Sequence, residues 1–366
     1  MSDDVAEKNT PAPQEVGGKQ SEVTYSFSDG LAQLLAKLNV SLLFSSYQSG
    51  LVYQLGRRRD GGLHLHQTAV MKPMGICVPN KQELILSSGH HIGRYHNMLA
   101  PHEQINEQFD ACYVPRTLHC TGNLDMHDVG LDRNGRIVFV NTRFNCLATP
   151  HDQHSFEMIW KPDFITELAD EDRCHLNGLA MDKGEAAYVT AVSKSNTIDG
   201  WRDRRDRGGV VIDVVRNEVL CEGLSMPHSP RLHQDKLWVM NSGTGELGTI
   251  NRKAGTLNKF EPFVFCPGFL RGLAFVGNYA FVGLSKPRYK RFEGLALDER
   301  LQKADSEPWC GIQVIDLNKG TCVEWLRIDG AVSELYDVAV LPHFARPMIV
   351  TLDTPEAANL ITFAKP

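Results

Sequence analysis

Short apolar strands separated by turns recur along most of the chain. One phrase returns repeatedly: a small or polar residue, an apolar strand, a turn, and a second apolar strand that ends in small polar residues. Two of its copies read PMGICVPNKQELILSSG at 73–89 and LNGLAMDKGEAAYVTAVS at 176–193. Short apolar runs bounded by turn residues are typical of β-strands joined as hairpins. The pattern therefore predicts an all-β chain.

The spacing of the phrase predicts how the hairpins are arranged. Six copies align with steps of 43 to 65 residues, which suits β-propeller blades of about 40 to 50 residues. Stretches such as 208–224 and 310–328 supply the outer strand pair of the unit. One blade cannot bury both of its faces, so neighbouring blades must pack in a ring, and we predict a single β-propeller of four-stranded blades. The six copies are aligned on Met74, His127, Asn177, His228, Arg271 and Tyr336, which stand at the starts of the inner strands.

The number of blades depends on which strands are counted. Inner strands give six blades, whereas second strands give seven, because the segment 41–55 looks like part of an additional blade. We expect six or seven blades, with seven favoured, and the C-terminal LITFAKP is a candidate closing strand. Apolar residues at helical spacing within 28–39, after a Ser-Asp start, predict a short helix before the ring.

The remaining segments define the domain boundaries. Residues 1–24 are polar and rich in Pro, Gly and Glu, so we expect a disordered tail. Residues 25–366 then form one propeller domain with an insertion near 150–175, whose aromatic residues suggest a cap over the ring.

Composition narrows the class of protein. The chain has 366 residues, 42% of them hydrophobic, and a net charge of −6, which disfavours nucleic-acid binding. No apolar run approaches the roughly 18 to 20 residues of a membrane span, and the N-terminus lacks a secretory signal. Nine cysteines are scattered without a CxxC pair. We expect a soluble, reduced, cytoplasmic protein.

The strand starts carry the candidate chemistry, because inner strands of a propeller begin around one mouth of its channel. His127, Asn177 and His228 are candidate ligands of a divalent metal such as zinc or iron. Arg271 would hold a carboxylate or phosphate of the substrate, since its planar fork matches two oxygens. Alternatively the ring binds a small polar or anionic ligand without a metal, or its polar groups only contact water and neighbouring blades.

Further candidates stand near the ring positions. Glu334 or Asp337 would serve as general base, and His175 is a third catalytic candidate. Tyr336 is a candidate ligand-binding residue, and two arginines after second strands, Arg143 and Arg288, are candidates for the rim of an anion site.

These residues favour a metal-assisted hydrolase or lyase that acts on a small anionic or carbonyl-bearing substrate. The alternative is a non-catalytic scaffold that binds a protein partner on its rim. A scaffold would expose aromatic and apolar residues on its loops, whereas here the polar residues gather at inner-strand starts.

Several phrases of the chain resemble a known family. SLLFSSYQSG, VNTRFNCL, GLSMPHSPRL and FLRGLAFVGNYAFVGLS resemble a bacterial family of conserved hypothetical proteins without an assigned activity, over residues 28 to about 350. More loosely, LNGLAMD is similar to gluconolactonase and regucalcin-like propellers, which implies that Asn177 is a metal ligand. His127 and His228 replace the acidic ligands of those propellers, which disfavours calcium and lactonase activity. A histidine-rich ring is closer to propeller lyases, by analogy of architecture alone.

Overall fold

The computed structural model describes residues 22–287 and 292–364, which form six mainly antiparallel sheets around a central channel. Each sheet is one blade, and its innermost strand packs against the innermost strands of the two neighbouring blades. The chain is therefore a six-bladed β-propeller with few short helices, and the predicted fold class is confirmed.

The blades follow one another in chain order, apart from the closing strand. Blade 1 contains β2 (Val40–Ser46), β3 (Leu51–Arg57), β4 (Leu63–Ala69) and, innermost, β25 (Val338–Pro342). Blade 2 contains β5 (Ile76–Asn80), β6 (Glu83–Ser87), β7 (His91–Asn97) and β8 (Ala111–Cys120). Blade 3 contains β9 (Met126–Leu131), β10 (Ile137–Asn141), β11 (Cys146–Thr149) and β12 (Glu157–Trp160).

The second half of the ring repeats this order. Blade 4 contains β13 (Leu176–Asp182), β14 (Glu185–Ala191), β15 (Gly209–Asp213) and β16 (Glu218–Leu224). Blade 5 contains β17 (Pro227–His233), β18 (Lys236–Asn241), β19 (Glu246–Ile250) and β20 (Phe260–Phe265). Blade 6 contains β21 (Phe269–Val276), β22 (Tyr279–Ser285), β23 (Cys310–Asp316) and β24 (Thr321–Asp329).

The expectation of seven blades is wrong, because the first and last parts of the chain share one blade. The segment 41–55 contributes β2 and β3 to blade 1, whose inner strand β25 comes from the other end of the chain. The seventh second strand, β26 (Pro347–Ile349), instead runs parallel to β8 as a fifth strand of blade 2. Residues 360–364 form no strand, so β25 closes the ring rather than LITFAKP.

Short helices and one further strand supplement the six blades. The predicted helix is present as α1 (Leu31–Leu38), and it ends at Asn39 in the left-handed conformation. β1 (Thr24–Phe27) adds a fifth strand to blade 6, so the last residue of the predicted tail is structured, while residues 1–21 lie outside the described residues. The other helices are α2 (Ala296–Lys303) and α3 (Pro355–Asn359). In the described part of the chain no helix is long and apolar enough to cross a membrane.

The core lies between adjacent blades, where apolar side chains of neighbouring sheets interdigitate. Phe44 and Tyr53 of blade 1, for example, stack at 4.7 Å between ring centroids and are fully buried. The segment expected as an insertion contains β12, the outer strand of blade 3. Its remainder packs Ile165 into the core between blades 3 and 4.

Candidate functional site

Hydroxyl groups near the ends of the second strands fix the register of the inner strands. In five blades such a hydroxyl donates to a carbonyl at the start of the next inner strand, at 2.6 to 3.2 Å. The residue after each acceptor carbonyl therefore occupies an equivalent ring position. The donors are Ser45, Ser87, Thr142, Ser242 and Ser285, and the acceptors belong to Met74, Met126, Leu176, Leu270 and Leu335.

This register corrects one residue of the predicted ring. In blade 2 the ring position is held by Gly75, because Met74 provides the acceptor carbonyl. A Cβ atom at Gly75 would lie 2.9 Å from the Cα of Asp128, so a side chain has no room there. The other predicted residues do converge: a cavity of about 10 Å³, with room for one water molecule, is lined by His127, Asn177, His228, Arg271 and Tyr336.

The two ring histidines have matching surroundings. His127 Nδ1 lies 2.8 Å from the carbonyl oxygen of Asp125, and His228 Nδ1 lies 2.8 Å from that of Met226. A carbonyl oxygen only accepts, so Nδ1 carries the hydrogen and Nε2 presents its lone pair. His228 Nε2 is buried and has no hydrogen-bond partner in the described structure. Burial lowers the pKa of His127 to about 4 and that of His228 well below its usual range, so both rings are neutral at pH 7.

Two further polar atoms of the ring lack partners in the described part of the chain. Thr190 Oγ1 donates to Asn177 Oδ1 at 2.6 Å, which leaves the buried Asn177 Nδ2 without an acceptor. The Tyr336 hydroxyl is also buried and unpartnered, and burial raises the pKa of Tyr336 far above its usual range. Each such group costs about 1–3 kcal/mol when it stays unsatisfied. With His228 Nε2, three unpartnered polar atoms belong to residues that line one small cavity.

Arg271 is the only charged residue among the five side chains at the ring positions, and it is 7% exposed. Its guanidinium carbon lies 5.0 Å from the centroid of the Tyr336 ring and 5.6 Å from that of Phe269. Among the described residues it has no hydrogen-bond acceptor and no direct ion pair. Burial would raise the pKa of Asp125, but two neighbouring histidines and Arg271 lower it, so this carboxylate compensates part of the charge of Arg271. A buried charge without a direct counterion still costs free energy. The cavity is therefore chemically suited to an anion.

A second polar layer closes the channel beneath the ring. Arg231 Nη1 lies 2.8 Å from Asp128 Oδ2, and Arg231 Nη2 lies 3.5 Å from Asp337 Oδ1. The backbone N–H groups of Leu179 and Ile76 donate to the same two carboxylates at 2.9 and 2.8 Å. Burial raises the pKa of Asp337 to about 7, against the lowering effect of Arg231. Asp337, predicted as general base, thus forms part of the cavity floor and holds Arg231.

His175 lies beside the cavity and does not line it. Its Nδ1 is 2.6 Å from Asp172 Oδ2, and its ring stacks on Trp201 at 4.2 Å between centroids. The edge of the ring meets His127 at 4.9 Å. His175 adopts φ of 52°, in the left-handed region that few non-glycine residues occupy. A carboxylate that orients an imidazole is the arrangement used in general-base catalysis.

Two further predicted residues, Glu334 and Arg143, do not line the cavity either. Glu334 accepts a hydrogen bond from the Tyr47 hydroxyl at 2.7 Å. Arg143 pairs with Asp170 in the loop before β13 and donates to the carbonyl of Asn123 at 2.8 Å, so it fastens that loop. Arg288 lies outside the described residues.

An apolar cluster covers the ring on the side opposite the floor, and we call it the cap. Trp201 comes from the loop between β14 and β15, and Phe292 and α2 come from the connection between β22 and β23. Phe292 stacks on Phe269, which in turn contacts His228 at 5.5 Å. The buried members of the cap are Val192, Trp201, Met226, Phe269, Phe292, Leu295, Leu297 and Leu301.

The donor set does not fit the metal centre predicted at His127, Asn177 and His228. The two imidazole lone pairs suit a metal, but Asn177 presents its NH₂ group, which cannot ligate. Arg271 places a positive charge in the same cavity. The described residues contain no group of three or more His, Cys, Asp and Glu able to hold a metal ion.

Comparison with known proteins identifies the family. A family model described as Domain of unknown function (DUF4915) matches residues 29–350. The chain belongs to that family. The predicted membership in a family without an assigned activity is thereby confirmed. Among curated proteins none matches the sequence.

Solved structures share the architecture. A chain of the nidogen/laminin complex superposes with a TM-score of 0.51 at 13% identity, covering 83% of this chain and 99% of that one. Virginiamycin B lyase from Staphylococcus aureus gives a TM-score of 0.39 at 11% identity, covering 84% of this chain and 99% of the lyase. The first likeness shows the fold, and the second is too distant to inform the site.

Proposed function

We propose that this propeller binds a small monoanionic carboxylate at the channel mouth and performs proton-transfer chemistry on it. The observation that supports this most directly is Arg271, a buried guanidinium without a direct ion pair among the described residues, beside unpartnered polar atoms. A carboxylate would pair with two N–H groups of the arginine. Its oxygens could also accept a hydrogen bond from Asn177 Nδ2.

The charges around the cavity favour one negative charge over two. His127 and His228 are neutral at pH 7, so Arg271 supplies the single positive charge of the ring. The floor below contains two carboxylates and one guanidinium. A phosphate dianion would therefore face excess negative charge, whereas a carboxylate matches Arg271 alone.

The chemistry we assign is that of a lyase or hydrolase. His175, oriented by Asp172, is the general base that removes a proton from a ligand carbon or from a water molecule. Tyr336 is the proton donor to the leaving group: burial raises its pKa, and the Arg271 guanidinium, 5.0 Å from its ring, opposes that effect and favours release of the proton. Arg271 stabilises negative charge that develops on the carboxylate during the reaction.

The test is ligand-induced thermal stabilisation with acetate, benzoate, phosphate and sulfate as probes. We expect carboxylates to raise the melting temperature of the wild type and to have no effect on Arg271→Met. The matched control is Arg143→Met, which removes an arginine outside the cavity and should keep the response. Equal stabilisation of both variants by carboxylates would overturn the proposal.

The metal content of the purified protein tests the alternative that the reaction is assisted by a metal ion. We expect no stoichiometric zinc or iron in the wild type, and the same result for a His127→Ala/His228→Ala double variant. Stoichiometric metal that is lost in the double variant would favour the metal-assisted hydrolase or lyase instead.

A further inference from the structure

We infer that the ligand is a carboxylate with an apolar, aromatic-sized body, whose head meets Arg271 and whose body lies under the cap. This inference rests on the proposed function and adds the class of ligand. It follows from the directions in which a molecule held by Arg271 can extend, and from the chemistry found in each direction.

The channel below the ring is closed to a ligand. Asp128, Arg231 and Asp337 come from three different blades and meet in one ion-paired layer. Both carboxylates also accept backbone N–H groups of neighbouring blades, at 2.8 and 2.9 Å. Opening this layer would expose paired charges inside the protein, which costs about 3–5 kcal/mol per broken pair. A ligand body cannot extend downwards.

The walls of the cavity are closed as well. They consist of inner strands that pack directly on one another, and their backbones approach closely at glycine positions. A Cβ atom at Gly272 would lie 2.4 Å from the backbone nitrogen of Val338, and one at Gly178 would lie 2.5 Å from Thr190 Oγ1. Between strands at such distances there is no room for a ligand. The cap is the remaining direction.

The cap offers an apolar and aromatic surface beside the charged group. Phe269 touches the Arg271 guanidinium on the ring side and stacks on Phe292 on the cap side. Trp201 covers the proposed base. The Arg202 guanidinium carbon lies 4.5 Å from the centroid of the Trp201 ring, so one charged group flanks this surface. A molecule whose carboxylate reaches Arg271 thus places its body against Trp201, Phe269 and Phe292.

A polar atom of the cap also lacks a partner. Trp201 Nε1 is buried and has no hydrogen-bond acceptor in the described structure. Tryptophan N–H groups usually find a partner when they are buried. An acceptor on the ligand body would satisfy Trp201 Nε1.

The cap must move for such a ligand to enter, since the cavity of about 10 Å³ holds only one water molecule. Among the described residues, the cap packs on the blades through apolar side chains such as Phe292 on Phe269. Arg300 of α2 pairs with Glu246 at 2.6 Å and is an ion-pair tether between α2 and blade 5. Because apolar contacts are not directional, the cap can repack around an apolar body.

Isothermal titration of the full-length protein with four probes tests the inference. The probes are acetate, hexanoate, 3-phenylpropanoate and 3-phenylpropanol. The last is the uncharged analogue of 3-phenylpropanoate. We expect 3-phenylpropanoate to bind on the order of 100-fold more tightly than acetate, because its body buries roughly 100 Å² or more of apolar surface. Hexanoate should lie between them, and 3-phenylpropanol should bind at least tenfold more weakly than its acid.

Variants of the cap distinguish binding of the ligand's carboxylate from binding of its apolar body. Trp201→Leu and, as a second variant should the first fail to fold, Phe292→Leu should reduce the advantage of 3-phenylpropanoate over acetate about tenfold. The affinity for acetate should stay the same. The matched control is Phe263→Leu, an aromatic residue on the outer strand of blade 5.

The outcomes distinguish this inference from the proposed function. If acetate and 3-phenylpropanoate bind equally and both require Arg271, the function stands and the inference about the body is overturned. If the alcohol binds as tightly as the acid, or if no carboxylate binds, the proposed function itself is overturned.

Discussion

Arg271, which is buried, and Arg231, which is partly buried, have guanidinium groups with opposite surroundings. Arg231 lies between two carboxylates, which raise its pKa, although burial alone would lower it. Among the described residues, Arg271 contacts the aromatic faces of Tyr336 and Phe269 and has no direct ion pair. The first arginine stabilises the ring, whereas under our proposal the second lowers stability in return for binding, a compromise common at functional sites.

Chemical denaturation can measure this difference. We expect Arg271→Met to raise the free energy of unfolding by about 1 kcal/mol, since relief of desolvation exceeds the lost cation–π contacts. Arg231→Met should lower it by about 3–5 kcal/mol, because Asp128 and Asp337 lose their counterion. A loss of more than about 2 kcal/mol in Arg271→Met would assign that residue a structural role.

The ring histidines predict a dependence of stability on pH. Their folded pKa values are lowered, so below about pH 6.5 the unfolded chain binds more protons and stability falls. The raised pKa of Asp337 acts in the opposite direction between about pH 4 and 7, since there the folded state binds the extra proton.

A comparison of variants isolates the histidine contribution. Between pH 7.5 and 5.5, His228→Gln should lose about 1.4 kcal/mol less stability than the wild type. Denaturation curves at the two pH values provide the measurement. Equal losses in both proteins would mean that His228 is not held neutral in the folded state.

At the scale of elements, one hydroxyl ties each of five blades to the next. Thr142 donates to the carbonyl of Leu176 at 2.6 Å and also contacts His127 Nδ1 at 2.8 Å. The tie thus sets both the register of an inner strand and the orientation of a ring residue. The recurring small polar residues after the second strands have a structural role that spacing alone does not reveal.

Replacement of this hydroxyl by a methyl group tests the tie. Thr142→Val should lower the free energy of unfolding by about 1–3 kcal/mol, because a buried carbonyl loses its donor. Thr149→Val is the control, since Thr149 is buried and its hydroxyl makes no hydrogen bond within the described structure. Thermal and chemical denaturation of both variants should separate them, and equal losses would argue against the tie.

Sequence reasoning worked where the information is local. Short phrases of the sequence show the repeat and its polar strand starts, which are His127, Asn177, His228 and Arg271. A ring of blades brings such positions together. The blade count failed because closure depends on β25 pairing with β2, at the other end of the chain. Arg231 was missed because it lies within an inner strand, and Asp172 because only the fold turns its carboxylate towards His175.

The whole molecule combines a closed floor, a ring with one arginine that has no direct ion pair among the described residues, and an apolar cap. The floor joins Asp128, Arg231 and Asp337 of three blades, so ring closure and site assembly depend on the same contacts. The cap is formed by connections that leave blades 4 and 6. Under our proposal a ligand would enter from the side of the cap.

The most direct test of the account is a crystal structure of the protein grown with 3-phenylpropanoate. We expect both carboxylate oxygens within about 3 Å of the Arg271 guanidinium nitrogens and the phenyl ring against Trp201 or Phe292. A structure in which Arg271 pairs with a carboxylate of the chain itself, and in which the cavity holds no ligand, would contradict the central claim that the ring binds an anion.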